Sequence, residues 1–212
     1  MQPPVVLLAT RSAGKLRELR PMFAAAGARA VDLSEFGIEE EPDAEATIEI
    51  FDSFEANAVA KARYFYEISG GVATIADDSG LSVVALDGQP GVASHRWSLT
   101  PGSPHLSGAA LDAANNARLV TSLAGKTDRR AKFICAAAFV GLGTELVCHG
   151  TVDGEIVDAP RGAGGFGYDP HFVSTELGKT FAEATLEEKS RVSHRARAFH
   201  ALLSAIASAP SR

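Results

Sequence analysis

A mixed α/β fold is predicted on three observations. An uninterrupted apolar run at residues 5–9 passes within a few residues into a helical repeat, apolar residues recur at helical spacing in later stretches, and strand-like runs lie between those stretches. The run Val5, Val6, Leu7, Leu8 and Ala9 lacks polar alternation, as expected of a strand covered on both faces, and Ser12-Ala13-Gly14 then favours a turn. Leu16, Leu19, Met22 and Phe23 follow at helical spacing, and Gly27 supplies a stop. Residues 30–33 read as a second strand, and Glu39-Glu40-Glu41-Pro42-Asp43 as an acidic, proline-broken loop. Phe54, Ala58, Ala62, Phe65 and Ile68 predict a long helix over 53–69, ended by Gly70-Gly71.

Residues 72–76 and 81–86 then read as two strands, with Asp77-Asp78-Ser79-Gly80, where Ser79-Gly80 permits a turn, between them. Residues 100–108, rich in Pro, Gly and Ser, form an expected surface loop, followed by a helix through Leu111, Ala114, Arg118, Leu119 and Leu123. Residues 133–140 and 145–152, joined by Gly141-Leu142-Gly143-Thr144, form an expected β-hairpin. A glycine-rich segment at 162–169 precedes a final helix through Leu186, Val192, Ala196, Phe199 and Leu203.

With 212 residues, 46% of them apolar, the chain can bury a substantial core, which excludes disorder as its main state. Lys plus Arg number 20 against 26 Asp plus Glu, a net charge of -6, so no general basic field is present for a nucleic-acid polymer and any phosphate site is local. No apolar stretch approaches the roughly 20 residues that cross a bilayer, nor does a signal-peptide pattern open the chain. A soluble cytoplasmic protein without a membrane partner is expected. Cys135 and Cys148 are too few for a disulfide framework and read as reduced, partly buried thiols.

Four segments could carry chemistry. Ala9-Thr10-Arg11-Ser12-Ala13-Gly14-Lys15 joins a strand to a helix, where free N–H groups favour an anion; its Arg11 and Lys15 sit where the helix itself would disfavour a cation, which points to a phosphate. The spacing is not that of a Walker loop. Asp77 and Asp78 would repel one another without a cation, and magnesium suits one or two carboxylates with phosphate and water, a third carboxylate coming from Glu49 or Asp52. Because strand side chains alternate, both aspartates share one site only if the chain turns there. Gly164-Gly165-Phe166-Gly167-Tyr168-Asp169 combines backbone freedom with Phe166 or Tyr168 as a stacking ring. Lys189, His194 and Arg195 are closely spaced donors.

In this order the blocks 9–15, 54–62, 76–81, 88–92, 165–169 and 187–195 resemble the inosine/xanthosine triphosphate pyrophosphatase family, whose members hydrolyse non-standard purine nucleoside triphosphates. The resemblance implies an elongated mixed β-sheet with flanking helices, forming two lobes around a central cleft in one domain over residues 1–212, and a homodimer. It implies hydrolysis of ITP, dITP and XTP to the monophosphate and pyrophosphate, with Mg2+ as cofactor. It places Thr10, Arg11, Ser12, Ala13, Gly14 and Lys15 on the triphosphate, and makes Asp78 the proton acceptor and, with Glu49, a metal ligand. Ser79, Phe166, Gly167, Tyr168, Asp169, Lys189, His194 and Arg195 surround the nucleotide, with His194 and Arg195 at the C6 edge of the base. The chain departs from the family pattern at Ser12, where Asn is usual, at His95, where a small residue is usual, and at Trp97, where Tyr or Phe is usual. Related enzymes acting on pyrimidine or modified nucleotides share the phosphate end; a sensor that binds without hydrolysis would have no use for a positioned base, and Asp77 and Asp78 argue against it.

Overall fold

The computed structural model describes residues 5–100 and 106–208. Residues 101–105 of the expected surface loop lie outside the described residues. Six strands form one sheet in the order β2-β1-β3-β4-β5-β6. They are β1 Val5–Leu8, β2 Arg29–Asp32, β3 Thr74–Val83, β4 Arg130–Gly141, β5 Thr144–Ile156 and β6 Phe172–Ser174. The sheet is mixed: β1 is parallel to β2 and β3, whereas β6 is antiparallel to β5. The described helices are α1 Ala13–Ala25, α2 Leu33–Phe36, α3 Pro42–Glu45, α4 Phe54–Ile68, α5 Gly108–Ser122, α6 Leu186–Val192 and α7 His194–Ser208.

The chain makes two compact units, one of Met1–Asp78, Cys135–Gly150 and Arg195–Arg212, the other of Ser79–Ile134 and Thr151–His194. In the first, strand alternation sorts the core. Leu8, Ile75, Cys135 and Ala137 pack with Leu19 and Phe23 of α1 and Phe199 and Leu202 of α7, while Leu7, Ala76, Ala136 and Ala138 pack with Ala58, Ala62 and Phe65 of α4. Helices on both faces explain why β1 is apolar throughout. In the second unit, Leu81, Val83, Phe133, Val152, Ile156, Phe172 and Phe181 pack with Leu119 and Leu123 of α5. There Gly154 permits a close approach, since a Cβ would lie 2.3 Å from the Val173 carbonyl oxygen.

Several expectations are corrected. Residues 77–80 do not turn: β3 runs unbroken from Thr74 to Val83, and a single 3-10 turn, Val84–Leu86, replaces the rest of the second expected strand. The turn preference of Ser79-Gly80 yields to tertiary context, because the two aspartates have partners on opposite faces. The acidic segment contains the one-turn helix α3, with Pro42 in its first turn, where a missing N–H costs nothing. The expected final helix is two, α6 and α7, parted by Ser193 in extended conformation (φ -67°, ψ 152°). The hairpin forms as expected; Leu142 (φ 53°) and Gly143 (φ 70°) make a two-residue turn of the left-handed kind that matches strand twist.

Candidate active site

In the first unit the site is built on the β1–α1 junction, β3 and α4. Ser12 caps α1, its Oγ accepting the Lys15 N–H at 3.3 Å, and the Ser12 N–H donates to Thr10 Oγ1 at 3.2 Å. Serine is among the residues best suited to this cap, so the loop's shape is held locally. This cap carries Lys15 to β3, where its Nζ lies 3.1 Å from Asp77 Oδ2 and 3.3 Å from the Asp77 carbonyl oxygen. Arg195 Nε is 3.2 Å from Asp77 Oδ2 and its Nη1 is 2.6 Å from Glu18 Oε2, both side chains of the Asp77 pair being nearly sealed from solvent, at 1% and 3% exposed. Burial alone would raise the Asp77 carboxyl, but Lys15, Arg195 and Lys61 outweigh it and hold the group far below the ordinary carboxylate range. Asp77 is therefore a charged, compensated anchor.

Alternation along β3 turns Asp78 to the α4 face, the face of Ala76. Asn57 Nδ2 donates to Asp78 Oδ2 at 2.9 Å, and the same carboxamide bonds both the N–H and the carbonyl of Phe51, at 2.9 and 3.2 Å. Lys61, one helical turn on from Asn57, donates to Glu49 and, at 2.6 Å, to the Asp77 carbonyl. Burial, then the charge of Glu49, push the Asp78 carboxyl above its ordinary value. Burial would also raise Glu49, but Lys61 and Lys15 bring it below the ordinary range. Burial would lower Lys61, and the charges of Glu49, Asp77 and Asp78 reverse that.

Two expected site residues have carboxylate partners within the protein. The Arg11 guanidinium forks onto Glu45, with Nη2 at 2.6 Å and Nε at 3.0 Å, and Nη2 also donates to the Glu39 carbonyl at 2.9 Å. It ties α3 to the β1–α1 loop. Arg195, expected at the base, has its Nε on Asp77 Oδ2 at 3.2 Å. Asp52 is exposed.

In the second unit Asp169 Oδ2 accepts from the Phe166 N–H at 2.9 Å and from Lys189 Nζ at 2.5 Å. Lys189 Nζ also lies 5.1 Å from the Phe166 ring centre, a cation–π distance. A Cβ on Gly165 would meet Asp169 Oδ2 at 2.1 Å, so only glycine fits there. Tyr168, one of two candidate stacking rings, is buried and donates its hydroxyl to the Ser94 carbonyl at 2.8 Å, and burial pushes that hydroxyl's pKa up. It anchors the loop, whereas Phe166 is half-buried. His194 stacks on Phe133, centres 4.7 Å apart. Ser79 lies within β3.

The sequence profile of the Ham1 family matches residues 6–205. The chain belongs to the Ham1 family. This Ham1 chain is 47% identical to the dITP/XTP pyrophosphatase of Bordetella pertussis over 93% of its length and 89% of the relative's. Among solved structures it is similar to a HAM1 protein from Coxiella burnetii (31% identity, TM-score 0.78, covering 97% of this chain and 100% of that one). It is also similar to the nucleoside-triphosphatase / dITP/XTP pyrophosphatase of Mycobacterium abscessus (42% identity, TM-score 0.67, covering 94% and 98%). The family resemblance read from the six sequence blocks is borne out.

Sequence reasoning passed over Asn57 and Lys61 of this Ham1 chain as members of a helical block. Their signal was two polar residues at i and i+4 beside the buried alanines of α4. Among the described residues no group of three His, Cys, Asp or Glu is arranged to hold a metal. The donor set nonetheless suits magnesium: Asp78 and Glu49 are two carboxylates whose charges oppose each other, and that ion takes one or two carboxylates with phosphate and water. No described helix is long and apolar enough to cross a membrane.

Proposed function

We propose that this Ham1 protein hydrolyses XTP, dITP and ITP to the nucleoside monophosphate and pyrophosphate. One observation carries the reading: Lys15 and Lys61, from different helices, both donate to the carbonyl of Asp77, at 3.3 and 2.6 Å. Two ammonium groups meeting at one oxygen repel each other, and a polyphosphate relieves that repulsion. The relatives named dITP/XTP pyrophosphatase supply the substrate class.

Thr10, Ser12, Lys15 and the free N–H groups opening α1 bind phosphate oxygens, with Asp77, itself held by Arg195, keeping Lys15 in place. Lys61 adds positive charge on the α4 side. Asp78 orients the attacking water and accepts its proton as oxygen bonds to the α-phosphorus; the bond from that phosphorus to the bridging oxygen breaks, and pyrophosphate leaves with the electron pair. Magnesium, held by Asp78 and Glu49, neutralises phosphate charge when bound.

At the base end, Phe166 offers its ring face, and Lys189 and His194 are donors suited to the oxygen at C6 of hypoxanthine or xanthine. Adenine has an amino donor at that position, and donor facing donor leaves both unpaired. The same reading takes a cytoplasmic homodimer as the working assembly, which light scattering tests. The deciding assay supplies ITP, XTP, dITP, ATP and GTP with magnesium and identifies the released phosphate. Pyrophosphate from the first three and little from ATP is expected; orthophosphate, or turnover led by ATP, would overturn the proposal.

A further inference from the structure

The Gly167 backbone is held on both sides of its Cα by one helix. Its N–H donates to Asp112 Oδ2 at 2.8 Å, and its carbonyl accepts from Asn116 Nδ2 at 2.9 Å. Asp112 and Asn116 are four residues apart on α5, so they share one face of the helix. Gly167 has φ +60°, and a Cβ there would meet nothing within 4 Å. Glycine is therefore present for its backbone conformation, the freest of any residue, and a glycine peptide stays in one orientation only if something outside it does the holding.

The neighbouring N–H, that of Phe166, goes to Asp169, so two successive N–H groups are each held by a carboxylate. Both bonds are charge-assisted and so among the stronger class of hydrogen bonds. The α5 face continues into a second anchored stretch. Asn115 accepts the Ser98 N–H at 2.7 Å and donates to the His95 carbonyl at 2.8 Å, while the Tyr168 hydroxyl reaches the Ser94 carbonyl in that same stretch. Asn116 Oδ1 is buried and has no hydrogen-bond partner among the described residues. An unsatisfied buried acceptor is a cost that a residue serving packing alone would shed by becoming apolar, and the bond to Gly167 is what Asn116 gains in exchange.

We propose that Asp112 and Asn116 are positioning residues for nucleobase binding: they fix the Gly167 backbone, and through it the Phe166 ring, in the orientation that receives the purine. This rests on the reading of residues 166–169 as the base site. The clamp acts on the nucleoside end alone, so it belongs to affinity rather than to the bond-breaking step.

The test separates the two ends of the substrate with inosine monophosphate and inorganic tripolyphosphate as probes. For Asp112→Ala and Asn116→Ala, the Kd for inosine monophosphate and the KM for ITP are expected to rise about tenfold, with kcat and the tripolyphosphate inhibition constant within about threefold of wild type. Asp112→Asn, whose amide oxygen accepts the same N–H, is expected to restore most of the affinity. Wild-type inosine monophosphate affinity in both alanine variants overturns the clamp, as does an equal loss for both probes, which would signal general damage to the fold. Phe166→Ala separates this failure from that of the base-site reading: if it also binds inosine monophosphate normally, the base lies elsewhere; if it binds weakly while the α5 variants bind normally, only the clamp is wrong.

Discussion

Asp77 and Asp78 are neighbours in β3, yet their carboxylates meet opposite electrostatics, and replacing each by asparagine is expected to move stability in opposite directions. Asp77 is sealed against Lys15 and Arg195, so Asp77→Asn strands two cations and is expected to cost about 3 kcal/mol, the scale for breaking a buried ion pair. Asp78 is buried beside Glu49, so Asp78→Asn removes a disfavoured charge and is expected to raise the melting temperature of the metal-free protein while lowering kcat about 10²-fold or more. An Asp78→Asn protein less stable than wild type would contradict this. The acid limb of stability follows Asp77. Its folded pKa lies below the unfolded one, so its contribution is full above about pH 4 and is lost as pH falls through and below that value. Urea midpoints measured from neutral pH down to strong acid should fall more steeply for wild type than for Asp77→Asn.

Elements as short as α3 and the 142–143 turn show where local sequence and tertiary context divide the work. Four residues cannot hold a helix unaided, and α3 is secured by Arg11 from the β1–α1 loop. Arg11→Ala is expected to speed proteolysis within residues 38–46 and to raise the magnesium concentration needed for half-maximal rate, because Glu49 follows that segment. The KM for ITP at saturating magnesium should stay within about threefold; a much larger rise would return Arg11 to the triphosphate. Arg11→Lys should not rescue, since an ammonium cannot fork onto a carboxylate. At the hairpin tip, Leu142 is 81% exposed at φ 53°, a conformation that disfavours a branched apolar residue. Leu142→Asn is expected to stabilise by about 1 kcal/mol, read as a higher denaturation midpoint. Periodicity made β1, α1, α4 and the hairpin legible, because each carries its own pattern. The break at Ser193 and the run of β3 through Ser79-Gly80 were not, because neither is encoded by the local residues: the first lacks a glycine or proline, and the second overrides one.

For the whole molecule, composition bounded the chain as folded, periodicity made it α/β, and the order of six motifs was enough to reach the family. Roles were less legible than membership. Arg11, Arg195 and Tyr168 are the right residue types for a nucleotide site, but their side chains are committed to Glu45, Asp77 and Ser94, and such partners distant along the chain leave no trace in local spacing. Neither compact unit is a continuous length of polypeptide, and the first is completed only by the stretch that opens at Arg195. A nonsense codon at that position would spare every residue proposed to hold phosphate or metal, including Lys15, Glu49, Lys61 and Asp78. It would nevertheless deprive Asp77 of its arginine and the core of Phe199 and Leu202, leaving a buried anion short of charge and a sheet face uncovered. Such a transcript would encode all of the proposed phosphate chemistry and yield no soluble protein, so a premature stop this late in the gene should behave as a complete loss of function.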